Sequence, residues 1–280
     1  MGATTVAVIG GGQMGSGITQ SFLSAGASVT LVETVAPEAA RDRVARGLEG
    51  AAERGKLTEK VPAILGRLSV ADSVESLPTS AELVVEAVPE DPRLKADVLR
   101  AAESALGERA VLATNTSSLS VTELASVLQR PAQFLGMHFF NPVPASRLVE
   151  LVVPAATAED VVSLARGWVD RLGKAGIVVK DSPGFASSRL GVLLGLEAIR
   201  MLEEGVADAE AIDTAMELGY RHPLGPLRST DLVGLDVRLA IAEYLHRTLG
   251  ERFAPPQLLR DKVAAGDLGR KTGRGFHTYR

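Results

Sequence analysis

The chain contains no cysteine, which removes disulfides, cysteine-ligated metals and thiol nucleophiles together. Its four histidines are scattered and no His-Glu-x-x-His pattern occurs, so metal catalysis has no motif to rest on and no metal is expected. There is no surplus of basic charge: the formal net charge is −4 and it is spread along the chain. A phosphate backbone or an anionic membrane would need a basic stripe or a polybasic segment, so neither nucleic acid nor membrane is expected as a partner. No apolar run approaches the ~20 residues that span a bilayer. The stretch Met1–Gly10 lacks the basic flank and small-residue cleavage pattern of a signal peptide, and a cytoplasmic enzyme is the expectation. Internal repeats and low-complexity segments are also missing.

What is present is an ordinary globular composition, with 46% hydrophobic and 23% charged residues in 280, enough for one large domain or two modest ones. The first half alternates short β-branched runs (Val6–Gly10, Ser28–Val32, Leu83–Val88, Val111–Thr114, Phe134–Met137) with segments long enough for crossover helices. That alternation predicts an α/β fold with a mostly parallel sheet of Rossmann type. Two more apolar runs, Leu148–Val153 and Ile177–Val179, flank the amphipathic stretch Glu159–Leu172 and carry the sheet to about Lys180. Asp181-Ser182-Pro183-Gly184 then breaks the pattern, because proline biases its predecessor away from helix. Beyond it the apolar spacing is helical throughout, as in Leu190, Leu193, Leu194 and Ile199. Residues 1–183 are therefore expected to form the sheet domain and 184–280 a smaller all-α domain.

Gly10-Gly11-Gly12-Gln13-Met14-Gly15 satisfies G-x-G-x-x-G directly after the apolar strand Thr5–Ile9 and at the start of a helix. In that setting Gly10 permits the tight turn, Gly12 lets the backbone approach a pyrophosphate, and Gly15 lets helix pack on strand. Gln13 and Met14 lie in the same turn, where free N–H groups and the positive helix end meet phosphates. Glu33 ends the next strand, 18 residues after Gly15, where an acid accepts hydrogen bonds from the adenosine ribose hydroxyls and repels a 2′-phosphate. NAD is expected rather than NADP.

Three further stretches fall at or near predicted strands: Asn115-Thr116-Ser117-Ser118-Leu119, Gly136-Met137-His138-Phe139-Phe140-Asn141-Pro142-Val143-Pro144, and Leu148-Val149-Glu150. Ligands in open α/β sheets bind beyond the carboxyl ends of the strands. Oxidising an alcohol carbon by hydride removal needs a base for the hydroxyl proton and a partner that orients the base. His138 suits the first role, as the side chain that titrates near neutrality. Glu150, expected at a strand end, suits the second, although a surface acid is the plainer reading. Ser117 or Ser118 equally suits a helix N-cap.

Together with Lys180-Asp181-Ser182-Pro183-Gly184-Phe185 and Gly269-Arg270-Lys271-Thr272-Gly273-Arg274-Gly275-Phe276, these motifs resemble the L-3-hydroxyacyl-CoA dehydrogenase family from Val6 to Tyr279. The resemblance implies a short-chain (S)-3-hydroxyacyl-CoA substrate such as 3-hydroxybutyryl-CoA, NAD as cofactor and a homodimer paired through the helical domain. It implies His138 and Glu150 as a dyad, Ser117 on the substrate oxygen, and Asn141 on nicotinamide and substrate. It further implies Glu90, Lys95 and Asn115 near the cofactor, Lys271 approaching it from the second domain, and Lys56 on the CoA phosphates, where a solvated charge is the alternative.

One position departs from the family pattern. Ser188 stands in Pro183-Gly184-Phe185-Ala186-Ser187-Ser188-Arg189 where the family commonly has asparagine, and a hydroxyl is shorter and offers a single donor hydrogen. The thioester is thereby less firmly implied than hydride transfer. A dehydrogenase of a sugar acid or of a carrier-bound hydroxyacyl group is the alternative, and a non-catalytic NAD-binding protein a third.

Overall fold

A computed structural model describes residues 4–279; the signal-peptide reading of Met1–Gly10 thus falls partly outside the described residues. The chain divides into two compact units, Met1–Asp181 and Ser182–Arg280.

The first unit runs β1 (Thr5–Ile9), α1 (Gln13–Ser24), β2 (Ser28–Val32), α2 (Pro37–Glu53), α3 (Val61–Leu65), β3 (Leu68–Ala71), β4 (Leu83–Glu86), α4 (Pro92–Ala105), β5 (Val111–Thr114), α5 (Val121–Ala125), β6 (Phe134–Phe139), β7 (Leu148–Val153), α6 (Glu159–Arg171) and β8 (Ala175–Lys180). The strands form one eight-stranded sheet in the order β3-β2-β1-β4-β5-β6-β7-β8. All neighbours are parallel except β6 and β7. The mostly parallel Rossmann-type sheet is thus present. The sequence reading missed β3, a sheet-edge strand whose Leu68-Ser69-Val70-Ala71 lacks the continuous apolar run of the buried strands.

Period two along the strands decides which side chains meet which helices. Val6, Val8, Val29, Leu31, Leu83, Val85, Ala113, Leu135, Met137, Val149 and Leu151 share one core with Ile18 and Phe22 of α1, Val44 and Leu48 of α2, and Trp168 of α6. Their strand neighbours Glu86, Thr114, His138 and Glu150 must therefore point to the opposite face, and all four are buried there. The register places Glu86 beside Thr114 and His138 beside Glu150. A row of polar groups thus crosses the face away from α1.

Local sequence sets the helix starts. Asp91 caps α4 by accepting from Leu94 N at 2.8 Å, with Pro92 in the first turn, where its missing N–H costs nothing. Ser120 caps α5 by accepting from Glu123 N at 3.2 Å, so the cap that Ser117 or Ser118 equally suited belongs to neither.

The second unit contains α7 (Ser187–Glu203), α8 (Ala209–Gly219), α9 (Pro226–Val233), α10 (Leu235–Leu249) and α11 (Gln257–Ala264). Val192, Leu196 and Ile199 of α7 pack with Leu227, Leu235, Leu245 and Leu259 in a separate core. Its C-terminal segment is tied down by buried carboxylates: Asp231 accepts from the N–H groups of Phe276 and His277, and Asp213 lies 2.8 Å from the His277 Nε2. No described helix is long and apolar enough to cross a membrane.

Candidate active site

The site in the first unit begins at the glycine turn. Gly10 adopts a φ of +102°, and a Cβ there would sit 2.7 Å from the Ala87 carbonyl oxygen. A Cβ on Gly15 would fall 1.8 Å from the Gly10 carbonyl oxygen, so both positions exclude side chains on steric grounds. Gly12 differs: a Cβ on it would meet nothing within 4 Å. It is the residue before α1, whose first turn has no side-chain cap and no acid, leaving N–H groups available to an anion. This cradle adjoins a cleft of about 630 Å³ walled by Gly10, Gly12, Met14, Glu33, Val88 and Pro89, ample for the adenosine portion of a dinucleotide.

Glu33 stands at the end of β2 with its carboxylate anchored by the backbone. It accepts from Val35 N at 3.0 Å and from Gly11 N at 2.8 Å. These N–H groups, Val35 first, hold its carboxyl below the usual carboxylate range. It is ionised at neutral pH and fixed at the rim of the cleft, as recognition of ribose hydroxyls requires. Sequence reasoning overlooked Arg43, which donates to the Gly11 carbonyl from α2.

The polar row lies beyond. The Glu86 carboxylate is fully buried at the end of β4 and receives the Lys95 ammonium at 2.8 Å, the Thr114 hydroxyl at 2.6 Å and Val88 N at 2.7 Å. Burial pushes its carboxyl up, against the opposing pull of Lys95. Lys95 is itself 0% exposed. Its ammonium also donates to the carbonyls of Asn115 (3.1 Å) and Val88 (3.3 Å) and lies 3.5 Å from Glu90. Glu90 in turn organises the serine-rich loop, accepting from the Thr116 hydroxyl at 2.6 Å, Ser117 N at 3.0 Å and the Ser118 hydroxyl at 3.3 Å. As placed, the Lys95 charge faces inward, enclosed by Glu86, Glu90 and the carbonyls of Val88 and Asn115.

Asn115 joins this loop to the next strand, its side-chain oxygen accepting from Phe139 N at 3.0 Å. One residue back on β6, His138 is 5% exposed and its Nδ1 lies 2.7 Å from Oε2 of the fully buried Glu150. With Glu150 as a carboxylate, which only accepts, this contact is made by the tautomer that carries its proton on Nδ1 and leaves Nε2 as the acceptor nitrogen. The ring centroid of Phe140 sits 4.4 Å away. Glu150 is placed inside β7, directly across the antiparallel pair from His138, and its expected strand-end position is corrected accordingly. The reversal of β7 is what brings the two side chains opposite each other on one face.

The segment after β6 turns through a cis Asn141–Pro142 bond. Its Asn141 side-chain oxygen accepts from the Gln13 amide at 3.1 Å, which ties the His138 segment to the glycine turn. The first unit therefore assembles Gly10, Gly12, Gln13, Met14, Gly15, Glu33, Glu90, Lys95, Asn115, Ser117, His138, Asn141 and Glu150 around the carboxyl ends of β1, β2, β4, β5 and β6. Lys56 lies elsewhere in it, exposed in the turn after α2. Nearby Arg67 is taken up by an ion pair with Glu59 at 2.8 Å. Within the second unit, Lys271 pairs with Asp236 at 2.6 Å, and Ser188 is in the first turn of α7.

Residues 5–182 match the model of the 3-hydroxyacyl-CoA dehydrogenase NAD binding domain, and residues 184–279 that of the 3-hydroxyacyl-CoA dehydrogenase C-terminal domain. The chain belongs to the 3-hydroxyacyl-CoA dehydrogenase family. A protein of Bacillus subtilis named probable 3-hydroxybutyryl-CoA dehydrogenase is 42% identical, with 98% of this chain and 96% of that protein covered. The 3-hydroxybutyryl-CoA dehydrogenase of Mycobacterium tuberculosis is 41% identical, with 98% of each covered. The crystal structure of (S)-3-hydroxybutyryl-CoA dehydrogenase from Ralstonia eutropha superposes over 100% of both chains, with a TM-score of 0.94 and 39% identity. As a 3-hydroxyacyl-CoA dehydrogenase family member the protein is an NAD-dependent oxidoreductase. The open glycine cradle and the anchored Glu33 carboxylate fit that cofactor.

Proposed function

We propose that the protein interconverts short-chain (S)-3-hydroxyacyl-CoA, such as 3-hydroxybutyryl-CoA, and the corresponding 3-ketoacyl-CoA, using His138 and Glu150 as a catalytic dyad. The observation that carries the reading is the 2.7 Å contact between the His138 Nδ1 and the Glu150 carboxylate, which sets the tautomer a general base needs. Nε2 accepts the proton of the substrate 3-hydroxyl as hydride leaves the same carbon. Glu150 then faces an imidazolium and stabilises it without taking the proton. Bound NAD supplies the hydride acceptor. In the reverse direction the imidazolium returns its proton to the oxygen.

The remaining site residues receive positioning and binding roles. The Ser117 hydroxyl donates to the substrate oxygen, and the Asn141 amide contacts nicotinamide and substrate. Gly10, Gly12, Gln13, Met14 and Gly15 cradle the pyrophosphate and Glu33 takes the ribose hydroxyls. Asn115, Glu90 and Lys95 shape the nicotinamide side, with Lys271 contributing from the second domain, and Lys56 contacts the CoA phosphates. Residues 184–280 serve as the substrate-cleft and dimerisation domain and residues 1–183 as the NAD-binding domain. A homodimer through its apolar face is supported by Leu190, which is 68% exposed. The compartment assigned is the cytoplasm.

A second reading rests on Ser188. With a hydroxyl where the family commonly has an amide, a carrier-bound hydroxyacyl group or a sugar acid is the competing substrate class. Loss of NADH absorbance with acetoacetyl-CoA, free acetoacetate and a keto sugar acid in parallel, with NADPH as control, separates the readings. Turnover confined to the CoA ester and NADH supports the primary one. Failure of the thioester while NADH binds refutes it and favours the second.

A further inference from the structure

Lys174 lies between α6 and β8, just after Gly173 at a φ of +66°, and is 8% exposed. Its ammonium donates to two backbone carbonyls, that of Val143 at 2.7 Å and that of Ser146. A buried ammonium is costly unless its donors are satisfied, and burial pushes this one down from the ordinary lysine value. A hydrophobic side chain would avoid that cost but leave both carbonyls without this donor. What the charge accomplishes is to draw two carbonyls, three residues apart, toward one point.

Those carbonyls belong to the turn that follows the cis Asn141–Pro142 bond. The turn closes on itself through Ala145 N and Ser146 N donating to the Pro142 carbonyl. Its other side rests on α1, where a Cβ on Gly17 would come 3.0 Å from the Val143 Cβ. Asn141, at the head of the turn, is held by Gln13 from the same helix. The turn is therefore gripped between α1 and Lys174.

We infer that Lys174 is a positioning residue for the reaction: its buried ammonium fixes the Asn141–Ser146 turn and thereby aims the Asn141 amide at the reacting groups. The inference rests on the role given to Asn141 under the proposed function. Displacing a group by ~1 Å in such a site costs up to about 100-fold in rate.

The test is a double-mutant cycle of Lys174→Met and Asn141→Ala, reading kcat with acetoacetyl-CoA together with the Kd for NADH. Alone, Lys174→Met is expected to lower kcat about 10- to 100-fold while the Kd stays within about threefold, because the glycine cradle and Glu33 are untouched. In the Asn141→Ala background the same change is expected to cost less than about twofold, since the group it aims is gone. Equal losses in both backgrounds, or an undiminished kcat in Lys174→Met, overturn the inference and leave Lys174 a structural brace. An Asn141→Ala variant with undiminished kcat overturns the role of Asn141 itself and the route through it. Should Lys174→Met fail to fold, Lys174→Gln, which keeps an amide donor for one carbonyl, carries the same comparison.

Discussion

Replacing Lys95 by methionine removes the cation from a fully enclosed pair. At the 2.8 Å separation from Glu86, an effective dielectric of about 20 gives a Coulomb attraction of about 6 kcal/mol. Part of that is already offset by the desolvation of both ions, and breaking a buried pair from one side typically costs about 3–5 kcal/mol. Against a total stability of about 5–15 kcal/mol, Lys95→Met is expected to lower the urea midpoint strongly. The loss has a definite pH dependence. Without Lys95 the Glu86 carboxyl, already raised by burial, rises further above its unfolded value. The folded state then holds a proton that the unfolded state releases, so the penalty grows as pH rises from the unfolded carboxylate pKa toward the folded one and shrinks on acidification. Changing Glu86 to glutamine as well removes the stranded charge. The double variant is expected to recover about half of the loss or more. A single-variant cost below about 1 kcal/mol, or a double variant no more stable than the single one, would refute the reasoning.

The glycine cradle makes two opposite forecasts. Gly12→Ala places its methyl in open space, so stability by thermal unfolding should change by less than about 1 kcal/mol while NADH affinity falls about tenfold or more through contact with the pyrophosphate. Gly15→Ala drives its methyl onto the Gly10 carbonyl and should lower stability by about 1–3 kcal/mol, visible without any ligand. Glu33→Ala removes the anchored carboxylate. The ratio of NADH to NADPH affinity, measured by titration, should drop by about tenfold or more as the repulsion of a 2′-phosphate disappears. An unchanged ratio would detach Glu33 from cofactor choice.

Much of this site is legible in the sequence because its parts are local. The glycine turn, the acid ending β2 and the His138 segment each occupy a few consecutive residues whose spacing follows from backbone geometry. What escaped reading depends on which strand faces which. Glu150 is visible as a partner for His138, yet only the antiparallel register of β7 puts it opposite the imidazole. The burial of Lys95 has no sign in the sequence: the period of β4 turns Glu86 to the same side and draws the ammonium into the interior. Lys174 carries no motif at all, and its burial is set by the turn that folds over it. β3 is missed for a simpler reason: Leu68–Ala71 pairs with β2 alone at the sheet edge and is only partly buried, so it lacks the apolar run that marks the equally short β4 and β5.

His138, held by Glu150, is the proposed base. Steady-state reduction of acetoacetyl-CoA by His138→Gln, with NADH binding measured on the same preparation, tests it most directly. Turnover should fall by a factor on the order of 10² to 10⁴ with NADH affinity intact. Undiminished turnover would take His138 out of the chemistry and leave the 2.7 Å contact with Glu150 as a feature of the sheet alone.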